Sequence, residues 1–312
     1  MPVPFVLFAL TLLGVAIFHR HTLAVAVAGL ASIVAFGLIA GGVDLRAHLA
    51  REWVTLANLF GLLVGFALLA DHFQRSNLPE LLPKVLPDGW WGAFTLLIAV
   101  FVLSSFLDNI AAAMIGGTVA MTVFRKNVHA GYVAAIVAAA NAGGAGSVIG
   151  DTTTTMMWID GVNPLDVLHA YAGAIVALII TASIASTQQT RLQPILADPI
   201  HEVNVDWVRL GIVAAVMSLA VVTNFVMNTA FTGSAATFPF LGVVVCAALL
   251  ALSPLRRPDW SRLPSTVKGS LFLLCLVLSA SLMPVSSLPA ASWPSTMALG
   301  FVSAVFDNIP LT

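Results

Sequence analysis

The chain has 312 residues, of which 59% are hydrophobic and 9% charged, with a net charge of −1 and a mean hydropathy of +1.00. Soluble domains carry roughly 25% charged residues, so this chain lacks the charge to clothe a water-facing surface and is expected to sit in lipid. The basic residues form no long run, which leaves nucleic-acid binding without support, and the two cysteines, Cys246 and Cys275, lie inside apolar stretches as core residues rather than as a disulfide or metal pair.

Pro2 and Pro4 precede the first apolar run with no basic leader, so a first transmembrane helix is expected there rather than a cleaved signal. Apolar runs between polar breaks predict spans at 3–18, 22–40 and 54–70, then 131–158, 166–186, 207–228, 234–252 and 268–283. Strand alternation is absent and Leu, Ala and Val dominate, so these are helices and not barrel strands. Two further apolar stretches, 91–124 and 293–312, each carry an Asp-Asn pair: Asp108-Asn109 and Asp307-Asn308.

The basic residues set an orientation. With the N-terminus outside, Arg20, Arg75, Lys84, Arg125, Lys126, Arg191, Arg209, Arg256, Arg257, Arg262 and Lys268 fall on the cytoplasmic side, against Arg46 and Arg51 outside. That asymmetry is the positive-inside pattern of a multi-pass protein, here of the bacterial inner-membrane type. Lys84 and Arg125-Lys126 then lie on one side of the stretch 91–124, which must leave and return. A re-entrant hairpin with Asp108-Asn109 at its bend fits, and irregular backbone at that depth is tolerated only where protein or a polar cavity satisfies it.

The segment SSFLDNI at 104–110 reappears as SAVFDNI at 303–309, and the run from Trp53 to Pro79 parallels that from Trp260 to Pro289. The second hairpin enters from the face opposite to the first, which makes the two halves an inverted repeat with a site at their interface. The expected fold is an all-α, polytopic helical bundle with inverted repeats, re-entrant hairpins and a broken helix. Its first repeat is 1–186, containing hairpin 91–124 and broken helix 131–158. A cytoplasmic linker at 187–206 joins this to an incomplete second repeat at 207–312. The counterpart of the broken helix would fall beyond Thr312, so a fragment of a longer protein is expected.

Two motifs carry the chemistry. Asp108 is a carboxylate placed far from water, where it must be paired, protonated or bound to a cation; Asn109 beside it, like Asp108, also suits a helix N-terminus. The second motif, NAGGAGSVIGDTTTT at 141–155, interrupts an apolar span. Gly143, Gly144 and Gly146 weaken the helix, while Asn141, Ser147, Asp151, Thr152, Thr153 and Thr154 supply oxygen ligands. Carbonyls of an unwound helix with hydroxyls and carboxylates suit transient Na+ or Li+ binding at Asp108, Asp151 and Asp307. Close helix packing by the glycines and back-bonding by the threonines are the bland alternatives. His72, His129 and His201 near cytoplasmic ends are either pH sensors or merely solvated. No Walker A, HExxH, GxSxG or CxxC motif occurs, and an enzyme is not expected.

The strings LSSFLDNIAAA and ANAGGAGSVIGDTTTTMMWIDG, closed by FDNIP at 306–310, resemble the NhaD-type sodium/proton antiporters of the ion transporter superfamily. That superfamily also holds arsenite permeases, citrate transporters and divalent-anion/sodium symporters. The resemblance implies Na+(Li+)/H+ antiport by alternating access. This chain has Ala111, Ala112 and Ala113 where the family commonly has threonines, and Gly146-Ser147-Val148 where it often has Trp-Ser-Pro. A citrate/dicarboxylate or arsenite-type anion permease therefore stays open as the alternative. The expected partners are a small ion or small carboxylate as substrate and the lipid bilayer, with a homodimer open and no cofactor expected.

Overall fold

The computed structural model describes residues 3–40, 44–78, 81, 86–107, 109–147, 152–159, 162–195, 204–231, 234, 237–284, 292–294 and 297. Among these, every regular element is a helix. In chain order they are α1 Val3–Ile17, α2 Thr22–Ile39, α3 Leu45–Gln74, α4 Gly89–Ser104, α5 Asn109–Val123, α6 Ala130–Gly144, α7 Thr152–Ile159, the single turn α8 Pro164–Val167, α9 Ala170–Leu192, α10 Trp207–Ala230, α11 Phe240–Leu252 and α12 Leu263–Ser281. Among the described residues, five helical segments are long and apolar enough to cross a bilayer: Thr22–Ile39, Leu45–Gln74, Leu165–Leu192, Trp207–Met227 and Trp260–Ser281. In lipid the backbone must satisfy itself, and helices do so within each segment.

Several helices outrun the apolar stretches that predict them. α3 extends 54–70 to Leu45–Gln74, α9 continues past 186 to Leu192, and α12 starts at Leu263 rather than 268. The extensions hold residues such as Arg46, Arg51, Gln188 and Gln189, which interrupt the hydrophobic run but are good helix formers. α11 starts late, at Phe240, because Pro239 stands at its N-cap.

The chain divides into two compact units, Met1–Phe60 with Ser261–Thr312, and Gly61–Trp260. In the first, α2 packs against α1 and α12 around Phe8, Leu12, Ala26, Ile33, Leu276 and Leu282. The α1–α2 approach is close enough that a Cβ at Gly29 would meet Thr11 Oγ1 at 2.1 Å. His48 Nε2 lies 2.9 Å from Ser281 Oγ, linking α3 to the end of α12.

In the second unit α4, α5, α6 and α9 surround one core. α4 contributes Ala93, Leu96, Leu97 and Val100; α5 contributes Ala112, Ile115 and Val119; α6 contributes Tyr132, Ile136 and Ala139; α9 contributes Leu178, Ala182 and Ala185. Small residues let the backbones approach, as van der Waals packing in membranes requires. A Cβ at Gly116 of α5 would lie 2.4 Å from Val100 Cγ2 of α4 and 3.1 Å from Ile136 Cγ2 of α6. Buried polar groups are answered across helices: Tyr132 donates to Ala93 O at 2.6 Å, and Trp90 Nε1 donates to Thr187 Oγ1 at 3.1 Å.

One end of this unit gathers an ionic network. Arg75 pairs with Asp71 at 3.0 Å and with Asp259, while Arg209 pairs with Asp206 at 3.5 Å and Arg256 with Asp206 at 2.7 Å. Arg209 Nη1 lies 3.1 Å from His72 Nδ1. A guanidinium only donates, so that ring nitrogen accepts, and the imidazole carries its proton on Nε2. His72 is thus a buried, hydrogen-bonded group, 1% exposed, rather than a solvated one. His129 instead caps α6, accepting from Gly131 N at 3.0 Å.

Asp206 also caps α10, accepting from Val208 N at 3.1 Å. The hydrogen bond from Arg256 holds its carboxyl below the usual carboxylate range and outweighs partial desolvation. A lowered carboxylate pKa stabilises the fold above the ordinary value, and that contribution disappears as the pH falls through the folded one. Thermal unfolding in detergent should therefore hold steady from neutral to mildly acidic pH and fall in stronger acid. Asp206→Asn should lower the neutral-pH midpoint and flatten part of that fall.

Candidate functional site

The hairpin of α4 and α5 turns at 105–107, and its arms of 16 and 15 residues reach about 24 and 22 Å, short of the roughly 30 Å hydrocarbon core. The turn is clamped from within: Ser104 Oγ, the last helical residue of α4, donates to Asn109 Oδ1, the first of α5, at 3.0 Å. Facing it is the break that the glycines of 143–146 predict. α6 ends at Gly144, Ser147 N donates to Gly144 O at 3.0 Å in a tighter turn than α-helical, and helix resumes at Thr152.

Turn and break are stitched together. Ser147 Oγ donates to Ser105 O at 2.5 Å, and Ser105 Oγ donates to Gly143 O at 3.0 Å. Tyr171, in the first turn of α9, brings its hydroxyl to 2.8 Å from Ser105 Oγ and 3.1 Å from Gly143 O. Thr154 Oγ1 donates to Ser147 O, tying α7 back to the break. Glycine is required at two of these contacts: a Cβ at Gly143 would lie 2.1 Å from Phe101 O, and one at Gly146 would lie 2.5 Å from the Tyr171 ring.

Of the residues predicted from sequence, Asn109, Gly143, Gly144, Ser147 and Thr154 are brought to this junction. Thr152 opens α7 and Thr153 follows it, half-buried. Asn141 is exposed on α6 and takes no part in the stitching described here, apart from its carbonyl, which accepts from Ala145 N at 3.2 Å. Asp108, Asp151, Asp307 and Asn308 lie outside the described residues. Ser104, Ser105 and Tyr171 were not among the predicted site residues. The serines precede the Asp-Asn motif with two residues between, and Tyr171 is one of two tyrosines in the chain, a residue whose hydroxyl needs a partner in an apolar setting.

The junction offers neutral oxygens, hydroxyl and carbonyl, and among the described residues there is no group of three or more His, Cys, Asp or Glu that could hold a metal ion. Hard cations take oxygen donors, whereas a transition metal would call for imidazole or thiolate.

The helices and this junction define a polytopic α-helical membrane protein. The chain is similar to sodium/proton antiporter 2 of Arabidopsis thaliana, 32% identical over 109 residues that make up 35% of this chain and 23% of the relative. It is also similar to sodium/proton antiporter 1 of the same plant, 26% identical over 281 residues, 79% of this chain and 45% of the relative. The chain thus spans less than half the length of the curated relatives it matches. No protein-family model matches it.

Proposed function

We propose that the chain is part of a secondary active transporter that exchanges Na+ or Li+ for protons by alternating access. The observation that carries this reading is the hydrogen-bonded junction of a hairpin turn with a helix break, which concentrates hydroxyl and carbonyl oxygens at Ser105, Gly143, Ser147 and Tyr171. Its similarity to proteins named as sodium/proton antiporters points the same way. In this reading Asp108 and Asp151 flank the junction in sequence and are alternately protonated and cation-bound, with Asp307-Asn308 serving the second half of an inverted repeat. Carboxylates inside a bilayer are rare and mark ion or proton pathways. The hairpin is re-entrant, the N-terminus lies outside, and the protein resides in the cell membrane of a bacterial-type cell.

The test is proton flux in everted vesicles containing the full-length protein. Adding Na+ or Li+ should dissipate a preformed proton gradient, and Asp108→Asn or Asp151→Asn should abolish the response. Absence of any cation-dependent signal across the neutral and alkaline range, with uptake of labelled citrate or succinate instead, would replace this reading with the anion-permease one.

A further inference from the structure

Resting on the cation-exchange reading, the geometry points to Tyr171 as a positioning residue that holds the Gly143 carbonyl and the Ser105 hydroxyl in place for the ion and sets the preference between Na+ and Li+. Three oxygens form a triangle at the junction: Ser105 Oγ to Gly143 O 3.0 Å, Tyr171 Oη to Ser105 Oγ 2.8 Å, and Tyr171 Oη to Gly143 O 3.1 Å. Each comes from a different element: the hairpin turn, the last turn of α6 and the first turn of α9. No two of them are held in register by one helix, so the triangle exists only while all three elements stay docked.

A carbonyl oxygen has two lone pairs. The Ser105 hydroxyl occupies one by its donation and the single Tyr171 proton goes to Ser105 Oγ, so the second lone pair of Gly143 O is held in a fixed direction and left to a cation. The serine hydroxyl is likewise aimed by its own donation to Gly143 O. Ligand oxygens whose mutual spacing is fixed favour one ionic radius over another, whereas ligands free to shift adapt to both. Tyr171 is braced for this role by its ring, which fills the space where a Gly146 side chain would stand and lies 5.7 Å from the Phe101 ring. Its hydroxyl is thereby held against Ser105 Oγ without the chain's own backbone having to supply the bond.

Tyr171→Phe keeps both ring contacts and removes only the hydroxyl. In vesicles carrying the full-length protein, apparent KM for Na+ and for Li+ are measured alongside maximal flux and the thermal midpoint in detergent. The expected result is a rise in KM for Na+ on the order of tenfold, the equivalent of one hydrogen bond to a ligand group, with maximal flux and midpoint little changed. The ratio of the Na+ and Li+ constants should also move, a change that loss of packing alone would not produce. Ser105→Ala should shift KM in the same direction. The double variant should fall short of the product of the two effects, because both hydroxyls act on one carbonyl. Should Tyr171→Phe fail to fold, the shift and altered ion ratio in Ser105→Ala decide the matter. Wild-type flux with unchanged constants and ion ratio in the folded variants overturns the role of Tyr171 alone. Absence of cation-dependent flux in the wild type overturns the exchange reading and this inference with it.

Discussion

Gly143→Ala is expected to destabilise the protein by about 3 kcal/mol, an overpacking cost at the upper end of the usual range, and, on the cation-exchange reading, to abolish cation-dependent flux. The new methyl carbon would stand 2.1 Å from Phe101 O, 2.8 Å from its carbonyl carbon and 2.9 Å from its Cα. These are backbone atoms in the last turn of α4, and no rotamer change can clear them. Relief requires α6 to back away from α4, which separates the Gly143 carbonyl from Ser105 and Tyr171 at the same time. Gly117→Ala is the matched control. It lies in α5, inside a neighbouring helix, but a Cβ there meets nothing within 4 Å, so helix propensity makes the change neutral to stabilising by up to about 1 kcal/mol. Thermal midpoints of the two variants in detergent, read beside their flux, separate the two outcomes. Equal midpoints would show that the α4–α6 approach is looser than described.

Gln189→Leu is expected to cost a similar amount, about 3 kcal/mol, through unanswered backbone groups rather than through volume. Gln189 is fully buried, and its amide accepts from His129 N at 2.7 Å and donates to Asn127 O at 3.0 Å and Gln193 O at 3.1 Å. Two of those bonds secure the turn between α5 and α6, where Arg125 and Lys126 take positive φ of 51° and 64°. Leucine fills nearly the same space but leaves all three partners to find water or go without. The turn should open, with faster backbone hydrogen exchange over 125–129 than at the Ser105 junction. A midpoint unchanged from wild type would mean that solvent replaces the amide at no cost.

Composition made the fold class legible, because a chain with so little charge has only helices or a closed barrel to choose from in lipid. The break at 143–146 was legible too, since three glycines in one apolar span weaken it wherever it packs. Helix ends were less so: Gln189 and Arg191 look like loop residues by polarity, yet they belong to α9. The face of α6 was not legible. Apolar residues surround it on all sides, so nothing in its pattern says that Asn141 is exposed while Ala139 and Ala140 are buried. Tyr171 and Ser105 are separated by 66 positions, and His72 and Arg209 by 137. Only packing brings such pairs together, which is why the residues predicted from the motifs at 108–109, 141–155 and 307–308 did not include Tyr171 of α9.

The glycine contacts along α4 have a mechanical consequence. Val100 of α4 and Ile136 of α6 both press on Gly116 of α5, and Phe101 O of α4 rests on Gly143 of α6. Contacts of this kind leave no slip plane between the hairpin and α6, because sliding by even one residue would drive a side chain into backbone. Motion in this part of the protein that preserves those seats must carry α4, α5 and α6 together as one stiff block.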